Sequence, residues 1–544
     1  MQNKNADGKN FEDVFWADQL AKQIVSRKRF HYTDTEIQKF KEYTVKTSAS
    51  LSGVLHIGRL SDTIRSESVA IALADSGVKI RFIWVAENMD PLRKVPKGVP
   101  ASYEKYIGVP VTDIPDTGGC HDSYASHHME EYFKVVHEFV VTKMEKFSMR
   151  EEYKKGNFNP HIKKILDKID EVKEIQNKYR TNPLKENWSP WTPICENCGK
   201  IVTPEIINFN EGIIEYICKD YAFETTIAKG CGYKGENNPL KGNGKLLWKS
   251  EWAAQWARWK VASEGAGKEY QVPNSAFWVN GEIVEKVLDF PMPVPIFYEH
   301  LLIDNQKMSA SVGNVVYPKD WLEVAPAELL RLFYNKRIMT TRSFSWKDLP
   351  NLYDEYEKIA KVYFGGTKLE SKKEELHYKR LFEVSYRKHL ISPIDLSFSH
   401  AAVIAQIFPN EEDAVKSLEK TGHYNKEQHD RIFERLHKVK IWLRKYAPED
   451  VKFTIQEHAP KGLKLAHSEK EALHEIAKLL KENEYDEKSL FNEFYNVSKK
   501  LQLKPEDFFK AAYKVLLNRE KGPKLAPFIL ALGKEKVAKL FEGV

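Results

Sequence analysis

The feature that most constrains the fold is a strand–turn–helix segment over residues 47–59, which is followed by a second β-rich run over residues 78–85. The segment predicts the end of a buried strand, a Ser/Gly turn and the start of a helix that reaches about Gly77. A strand, a helix and a second strand in this order are typical of a parallel sheet. The sequence therefore predicts an α/β fold with a doubly wound parallel sheet.

The turn at the start of this helix has the chemistry of a phosphate site. Free backbone N–H groups and the positive end of the helix dipole favour an anion there. His56 adds an imidazole that can donate to a phosphate oxygen, and Gly58 has no side chain, so an adenine ring could lie flat against the backbone. We interpret residues 47–59 as a nucleotide-binding segment.

Composition limits the class of protein. The chain has 544 residues, of which 42% are hydrophobic and 30% charged, so it can form several cores and we expect two to four domains. A net charge of +7 permits a polyanionic partner without requiring one. Five cysteines, a polar N-terminus over residues 1–7 and the lack of an apolar run of roughly 20 residues predict a soluble, cytoplasmic protein.

Later segments complete the predicted pattern. Residues 123–190 predict helices, residues 265–270 a tight turn before a helix near 275–288, and residues 293–303 a strand. That strand leads into a loop in which the ammonium of Lys307 and the hydroxyls of Ser309 and Ser311 could stabilise a transferring phosphate, although an ordinary polar loop is the alternative. From about residue 351 onward the pattern is helical.

Four cysteines predict a structural zinc site. Cys195 and Cys198 have knuckle spacing, and Cys218 and Cys231 supply a second pair, so that four thiolates could surround one tetrahedral ion. Reduced core thiols are the alternative. Cys120 is interpreted as structural, and the adjacent His127 and His128 point to different sides of a helix, so they are not predicted as ligands.

Two separated strings resemble the signatures of class I aminoacyl-tRNA synthetases: His56-Ile57-Gly58-Arg59 and Lys307-Met308-Ser309-Ala310-Ser311. Residues 86–96 and 119–125 are similar to class I lysyl-tRNA synthetases, and residues 446–453 and 521–528 resemble the carboxy-terminal anticodon-binding region of that family. The similarity spans about residues 15–540.

The resemblance implies a Rossmann-like catalytic sheet with a helical and zinc-binding insertion, followed by an all-α anticodon-binding domain. It also implies that ATP with Mg²⁺ and lysine form lysyl-adenylate, and that the lysyl group passes to the 3′ end of tRNA-Lys on a monomeric enzyme. His56, Gly58 and Lys307 would bind ATP, and His56, Lys307, Ser309 and Ser311 would act in catalysis. The expected segments are 1–42 (tail and helix), 43–150 (first half of the sheet domain), 151–245 (insertion), 246–350 (second half) and 351–544 (helical domain).

The amino-acid pocket departs from the family pattern. Trp256 and Tyr298 match positions that enclose the lysine side chain, whereas the segments around Ser48, Gln255 and Tyr270 differ from the usual family residues. The lysine-contacting residues implied by the resemblance are Ser48, Ser50, Trp256, Tyr270 and Tyr298, and the changes at Ser48, Leu51, Gln255 and Tyr270 leave lysine selection open.

Two other hypotheses remain. An inactive or re-specialised synthetase paralogue could act on another amino acid or serve as an RNA-binding module, as the altered pocket suggests. A nucleotidyltransferase could share the His-x-Gly segment, but it would not account for a helical half in which cations alternate with aromatic residues, a pattern suited to RNA.

Overall fold

The computed structural model describes residues 14–51, 54–96, 98–308, 313–386 and 391–544. Two compact units make up the chain. The first comprises residues 1–322, 326–344 and 362–390, and the second comprises residues 323–325, 345–361 and 391–544. Among the helices of the described ranges, none combines the length and apolar content that crossing a bilayer requires.

The strands, numbered in chain order, are β1 Tyr43–Ser50, β2 Ile80–Glu87, β3 Met144–Ser148, β4 Trp191–Pro193, β5 Pro204–Asn210, β6 Ile213–Cys218, β7 Tyr221–Ala222, β8 Ile227–Ala228, β9 Lys234–Asn237, β10 Gly244–Leu246, β11 Val261–Gly267, β12 Val294–Tyr298, β13 Leu301–Ile303, β14 Gln306–Lys307 and β15 Arg342–Phe344.

The helices are α1 Trp16–Ser26, α2 Ile57–Asp75, α3 Tyr124–Phe139, α4 Met149–Lys154, α5 Asn159–Asp167, α6 Ile169–Lys178, α7 Trp248–Trp259, α8 Ala276–Lys286, α9 Pro318–Val324, α10 Ala327–Asn335, α11 Leu349–Tyr363, α12 Lys372–Ser385, α13 Phe398–Ile407, α14 Glu411–Lys420, α15 His429–Lys445, α16 His467–Glu482, α17 Glu487–Lys500, α18 Pro505–Leu517, α19 Leu525–Leu532 and α20 Lys534–Glu542.

A five-stranded parallel sheet forms the centre of the first unit, in the order β12-β11-β1-β2-β3. This arrangement confirms the predicted α/β class. The chain leaves β1 through α2 to β2 on one side and later returns to β11 on the other side, so the strand order reverses between β1 and β11. Ligands of open α/β sheets collect outside the carboxyl ends of the strands at such a reversal. The residues that follow Ser50 and Gly267 therefore border the expected ligand crevice.

The predicted tight turn at residues 265–270 is wrong at its beginning, because residues 261–267 form the inner strand β11. Gly265 indicated a turn, but its role is a close approach: a Cβ atom there would lie 2.2 Å from Oδ2 of Asp62. Glycine inside a strand permits such an approach. A 3₁₀ turn begins only after the strand, at Lys268–Tyr270.

The stretch predicted as wholly helical, residues 123–190, contains one strand. β3 pairs in parallel with β2 at the edge of the sheet, with Phe147 opposite Val85. Only five residues long and partly exposed, it lacks the continuous apolar run by which buried parallel strands are recognised. The helices on either side of it do form, as α3 to α6.

The predicted boundary at residue 351 does not coincide with the division into units. Residues 362–390 cluster with the sheet unit. Arg380 on α12 contributes to this association, because its guanidinium lies 2.7 Å from Asp18 and 2.9 Å from Asp75. The second unit is helical, as predicted, and α16 to α20 enclose its apolar core, which includes Leu473, Ile476, Phe494, Phe508 and Leu516.

Candidate active site

His56 caps the helix that follows the central strand. Its Nδ1 accepts a hydrogen bond from the backbone N–H of Gly58 at 3.1 Å, so a neutral ring carries its proton on Nε2. Burial, followed by the neighbouring Arg59, lowers the pKa of His56 to about 4. The imidazole is therefore neutral near pH 7, with one N–H to donate beside the positive end of α2.

The two signature strings lie together. A Cβ atom on Gly58 would come within 2.5 Å of the terminal methyl carbon of Met308, so the second string packs against the first. The backbone N–H of Ile57 also donates to the carbonyl of Val316 at 3.0 Å. Lys307, adjacent to Met308, is exposed at the end of β14. Ser309 and Ser311 fall outside the described residues.

A hydrogen-bonded group lies on the α2 face of the sheet. Asp62, one helical turn beyond the first string, accepts hydrogen bonds from Thr47 and from the hydroxyl of Tyr298, the latter at 2.8 Å. The guanidinium of Arg65 stacks over the Tyr298 ring, 4.9 Å from its centroid. Tyr298 is thereby held on the same side of the sheet as α2.

A buried ion pair lies on the opposite face of the sheet. The Lys46 ammonium donates to Glu264 at 2.5 Å, and both side chains are almost inaccessible to solvent. The indoles of Trp252 and Trp256 donate to the other oxygen of Glu264, at 2.9 and 2.5 Å. Three donors thus satisfy a carboxylate that would otherwise be costly to bury.

This ion pair continues into a cluster that sequence reasoning missed. Glu87 lies 3.9 Å from Lys46, and Lys245 lies 3.0 Å from Glu251 and 3.7 Å from Asp90. With Glu264, the cluster joins four carboxylates to only two ammonium groups. Burial raises the pKa of Glu87 to about 8. From the sequence alone, a lysine in a strand is expected to be exposed to solvent. Only its position among the inward-facing residues of the strand could have indicated that Lys46 is buried.

Two buried oxygen atoms beside this cluster lack a hydrogen-bond partner in the described part of the chain. Gln255 donates to Oε2 of Glu87 at 3.2 Å. Neither Oε1 of Glu87 nor Oε1 of Gln255 has a hydrogen-bond partner among the described residues. A cavity of about 700 Å³ lies beside the cluster and is lined in part by Met89, Lys245 and Trp248.

The structure separates some of the residues expected to contact lysine. Trp256 contacts Glu264, whereas Tyr298 contacts Asp62 beside Gly265, and successive residues of a strand face opposite sides. Their contacts therefore lie on opposite faces of β11.

Each of the other expected lysine contacts has its own neighbour. Tyr270 packs edge-on against Trp252 at 5.1 Å, and Ser50 donates to Asp90 at 2.7 Å. Ser48 pairs with Val85 in the sheet.

The four cysteines predicted as metal ligands do converge. The Sγ atoms of Cys195, Cys198, Cys218 and Cys231 all lie within 4.8 Å of one another. The pairs Cys195–Cys231 and Cys198–Cys218 are each 3.6 Å apart. Four sulfurs bonded to one zinc at about 2.3 Å would be roughly 3.8 Å apart, so the cluster fits a tetrahedral ion.

Residues 14–388 match the family model described as tRNA synthetases class I (K). The chain belongs to this class I tRNA synthetase family. A protein named lysine–tRNA ligase from Pyrococcus furiosus is 34% identical over 97% of this chain and 99% of its own length. Proteins of the same name from Thermococcus kodakarensis and Borreliella burgdorferi are each 32% identical, and they cover 97% and 94% of this chain and 99% of their own lengths.

The likeness of this class I synthetase to solved structures is looser. A glutamate tRNA ligase from Elizabethkingia meningosepticum superposes with a TM-score of 0.41 at 11% identity, covering 92% of this chain and 98% of that one.

A second group of metal-ligand side chains in this class I synthetase was missed by sequence reasoning. Asp116, Cys120, His121 and His127 each offer a ligand atom within 4.8 Å of the others. Cys120 Sγ lies 3.0 Å from Nδ1 of His121 and 3.4 Å from Nδ1 of His127, and His127 Nδ1 lies 3.2 Å from Asp116. Four possible ligands of three residue types lie within residues 116–127, but sequence reasoning considered His127 only together with its neighbour His128.

Proposed function

We propose that this chain is a lysine–tRNA ligase that activates lysine with ATP and transfers it to tRNA-Lys. The lysine carboxylate attacks the α-phosphorus of ATP, which gives lysyl-adenylate and pyrophosphate. The ribose 2′-hydroxyl at the 3′ end of the tRNA then attacks the lysyl carbonyl, and AMP leaves. The observation that carries the proposal is the packing of Met308 against Gly58, which joins both synthetase signatures at one end of the sheet.

Positioning and charge stabilisation account for the nucleotide chemistry. The Nε2–H of His56 donates to a phosphate oxygen, and Gly58, which packs against Met308, is a further ATP-binding residue. The ammonium of Lys307 neutralises charge on the departing pyrophosphate, and the hydroxyls of Ser309 and Ser311 donate hydrogen bonds to it. Mg²⁺ accompanies the ATP.

The side-chain ammonium of the substrate lysine binds at Glu87 and Gln255. Support comes from two buried oxygens that lack a hydrogen-bond partner among the residues that the structure describes, in a cluster with more carboxylates than ammonium groups. An ammonium offers three donors and no acceptor, so it can satisfy both oxygens at once. The other residues proposed for the lysine pocket are Ser48, Ser50, Trp256, Tyr270 and Tyr298. Of these, Tyr298 lies on the face of the sheet where ATP is proposed to bind.

The helical unit holds the anticodon part of the tRNA. Phe491 and Tyr495 on α17 are both 45% exposed, and their rings lie 5.0 Å apart. Lys488 and Lys499 are exposed at helical spacing on the same stripe. Exposed rings flanked by cations suit unstacked RNA bases, and each stacked base contributes about 1–3 kcal/mol.

The four-cysteine cluster binds a structural zinc ion, which would cross-link the strands of the insertion. Plasma emission of the purified protein should give at least one zinc per chain, with the content lowered in Cys198→Ser. A metal-free but folded wild-type protein would contradict this assignment. The expected monomeric state and cytoplasmic location stay predictions.

ATP–pyrophosphate exchange with each amino acid, with and without tRNA-Lys, tests the main proposal. We expect exchange that depends on lysine and is about 10²–10³-fold slower in His56→Ala. Exchange with a different amino acid would reassign the specificity. No exchange with any amino acid, together with intact tRNA binding, would favour an inactive paralogue.

A further inference from the structure

Three side chains from distant parts of the chain meet in the helical unit. His400 lies on α13, His423 follows α14 and Glu487 is the first residue of α17. One ring nitrogen of each histidine and one carboxylate oxygen of Glu487 lie within 4.8 Å of one another. None of these residues has a part in the proposed function.

The hydrogen bonds of His423 fix which nitrogen is available. Its Nδ1 lies 3.0 Å from the backbone carbonyl of Asp395, and a carbonyl can only accept, so Nδ1 carries the proton. In the neutral ring Nε2 is then an acceptor, and a backbone carbonyl in this position is the usual partner that orients a metal-binding imidazole.

The partner of that nitrogen is a second acceptor. Nε2 of His423 faces Oε1 of Glu487 at 3.4 Å, longer than the roughly 2.8 Å of a charge-assisted hydrogen bond. Two ligands of one tetrahedral cation with bonds of about 2.0–2.1 Å would be roughly 3.4 Å apart. The observed separation therefore matches two atoms that share an ion.

His400 supplies the third ligand, which is the second nitrogen of the site. Its ring centroid lies 4.5 Å from that of His423, and its buried Nε2 has no hydrogen-bond partner among the described residues. An unpartnered buried nitrogen is costly, and a cation would satisfy it. Two imidazoles and a carboxylate are ligands that suit Zn²⁺.

The three residues line a cavity of about 650 Å³ within the helical unit. We propose that His400, His423 and Glu487 bind a divalent cation of the zinc type, with its fourth position open to this cavity. The ion cross-links α13, the segment after α14 and the start of α17. The site differs in kind from the four-cysteine cluster, which is closed and contains no nitrogen ligand.

Zinc titration of the full chain by calorimetry tests this site. Glu487 is exposed at a helix end, so Glu487→Gln leaves the fold intact, and His423→Ala removes a nitrogen ligand. We expect both changes to weaken one zinc-binding event at least tenfold, and Glu487→His to retain it. His429→Ala is the matched control, because this histidine bonds to Tyr424 outside the cluster, and it should bind zinc as the wild type does.

Cobalt absorption gives a second readout that separates this site from the cysteine clusters. A site made of nitrogen and oxygen ligands gives d–d bands without thiolate charge transfer, and Glu487→Gln should remove those bands alone. Identical zinc affinity and identical cobalt spectra in wild type, Glu487→Gln and His423→Ala would overturn the proposal.

Discussion

The two faces of β11 are built differently. On the α2 face, the nucleotide end consists mainly of residues close together in sequence, His56 to Asp62, joined by the distant residues Tyr298 and Met308. On the α7 face, the carboxylate cluster draws Lys46, Glu87 and Glu264 from three strands and further members from α7 and β10. The nucleotide end is a local motif, whereas the carboxylate cluster exists only once the sheet has formed. We expect substitutions at the nucleotide end to lower the rate of catalysis, and substitutions in the carboxylate cluster to lower the stability of the fold.

Removing the buried ammonium gives the largest expected effect. Lys46→Met leaves the buried Glu264 without its cation, so we expect the free energy of unfolding of the sheet unit to fall by about 3–5 kcal/mol. Urea unfolding followed by tryptophan fluorescence measures it. Lys79→Met, which removes an exposed ion pair with Glu42, is the control and should cost about 0–1 kcal/mol. Equal losses of unfolding free energy in Lys46→Met and Lys79→Met would contradict the claim that the buried ion pair stabilises the sheet more than an exposed one does.

The nucleotide end should respond in rate instead. His56→Ala removes a preorganised donor, so the rate of ATP–pyrophosphate exchange should fall by about 10²–10³-fold, or roughly 3–4 kcal/mol, while tRNA affinity stays the same. His137→Ala, an exposed histidine on α3, should leave exchange unchanged. Unaltered exchange in His56→Ala would remove this residue from the mechanism.

The pH dependence of lysine binding sharpens the role of the carboxylate cluster. Because the pKa of Glu87 is about 8, the group is protonated at pH 6 and must lose its proton before it can pair with an ammonium. The dissociation constant for lysine should therefore fall about tenfold from pH 6 to pH 7 and less steeply from pH 7 to pH 8. Glu87→Gln should bind lysine weakly with no such slope, and a wild-type profile that is flat over this range would contradict the assignment.

The contact between the two signature strings gives the smallest effect. Gly58→Ala places a Cβ atom 2.5 Å from Met308 and 2.9 Å from the His56 ring, so we expect KM for ATP to rise about fivefold, near 1 kcal/mol. Met308→Ala in the same chain removes the closer of the two contacts, so it should restore part of the loss. If KM for ATP in the double variant stays as high as in Gly58→Ala, the two signature strings are not in contact in solution.

Sequence reasoning succeeded where the signal is local. The strand–turn–helix around His56 and the knuckle spacing of Cys195 and Cys198 each lie within a short stretch, and the structure forms the expected elements and convergence there. The family followed from two short strings and was confirmed by the matching family model.

Sequence reasoning failed where partners are distant. No residue near Lys46 in the sequence indicates that Glu264 lies opposite it. Gly265 was predicted to form a turn because the carboxylate that requires a glycine there, that of Asp62, is some 200 positions away in the sequence. The group around Asp116 was missed for a different reason: its ligands are close in sequence, but no standard zinc spacing describes them.

Photo-crosslinking with 8-azido-ATP, mapped by mass spectrometry of the digested protein, tests the central claim most directly. The account predicts that labelled peptides come from the segment around residues 54–60 and the segment around residues 305–316, and that unlabelled ATP competes both away together. Competed labelling confined to a surface that contains neither segment would contradict it.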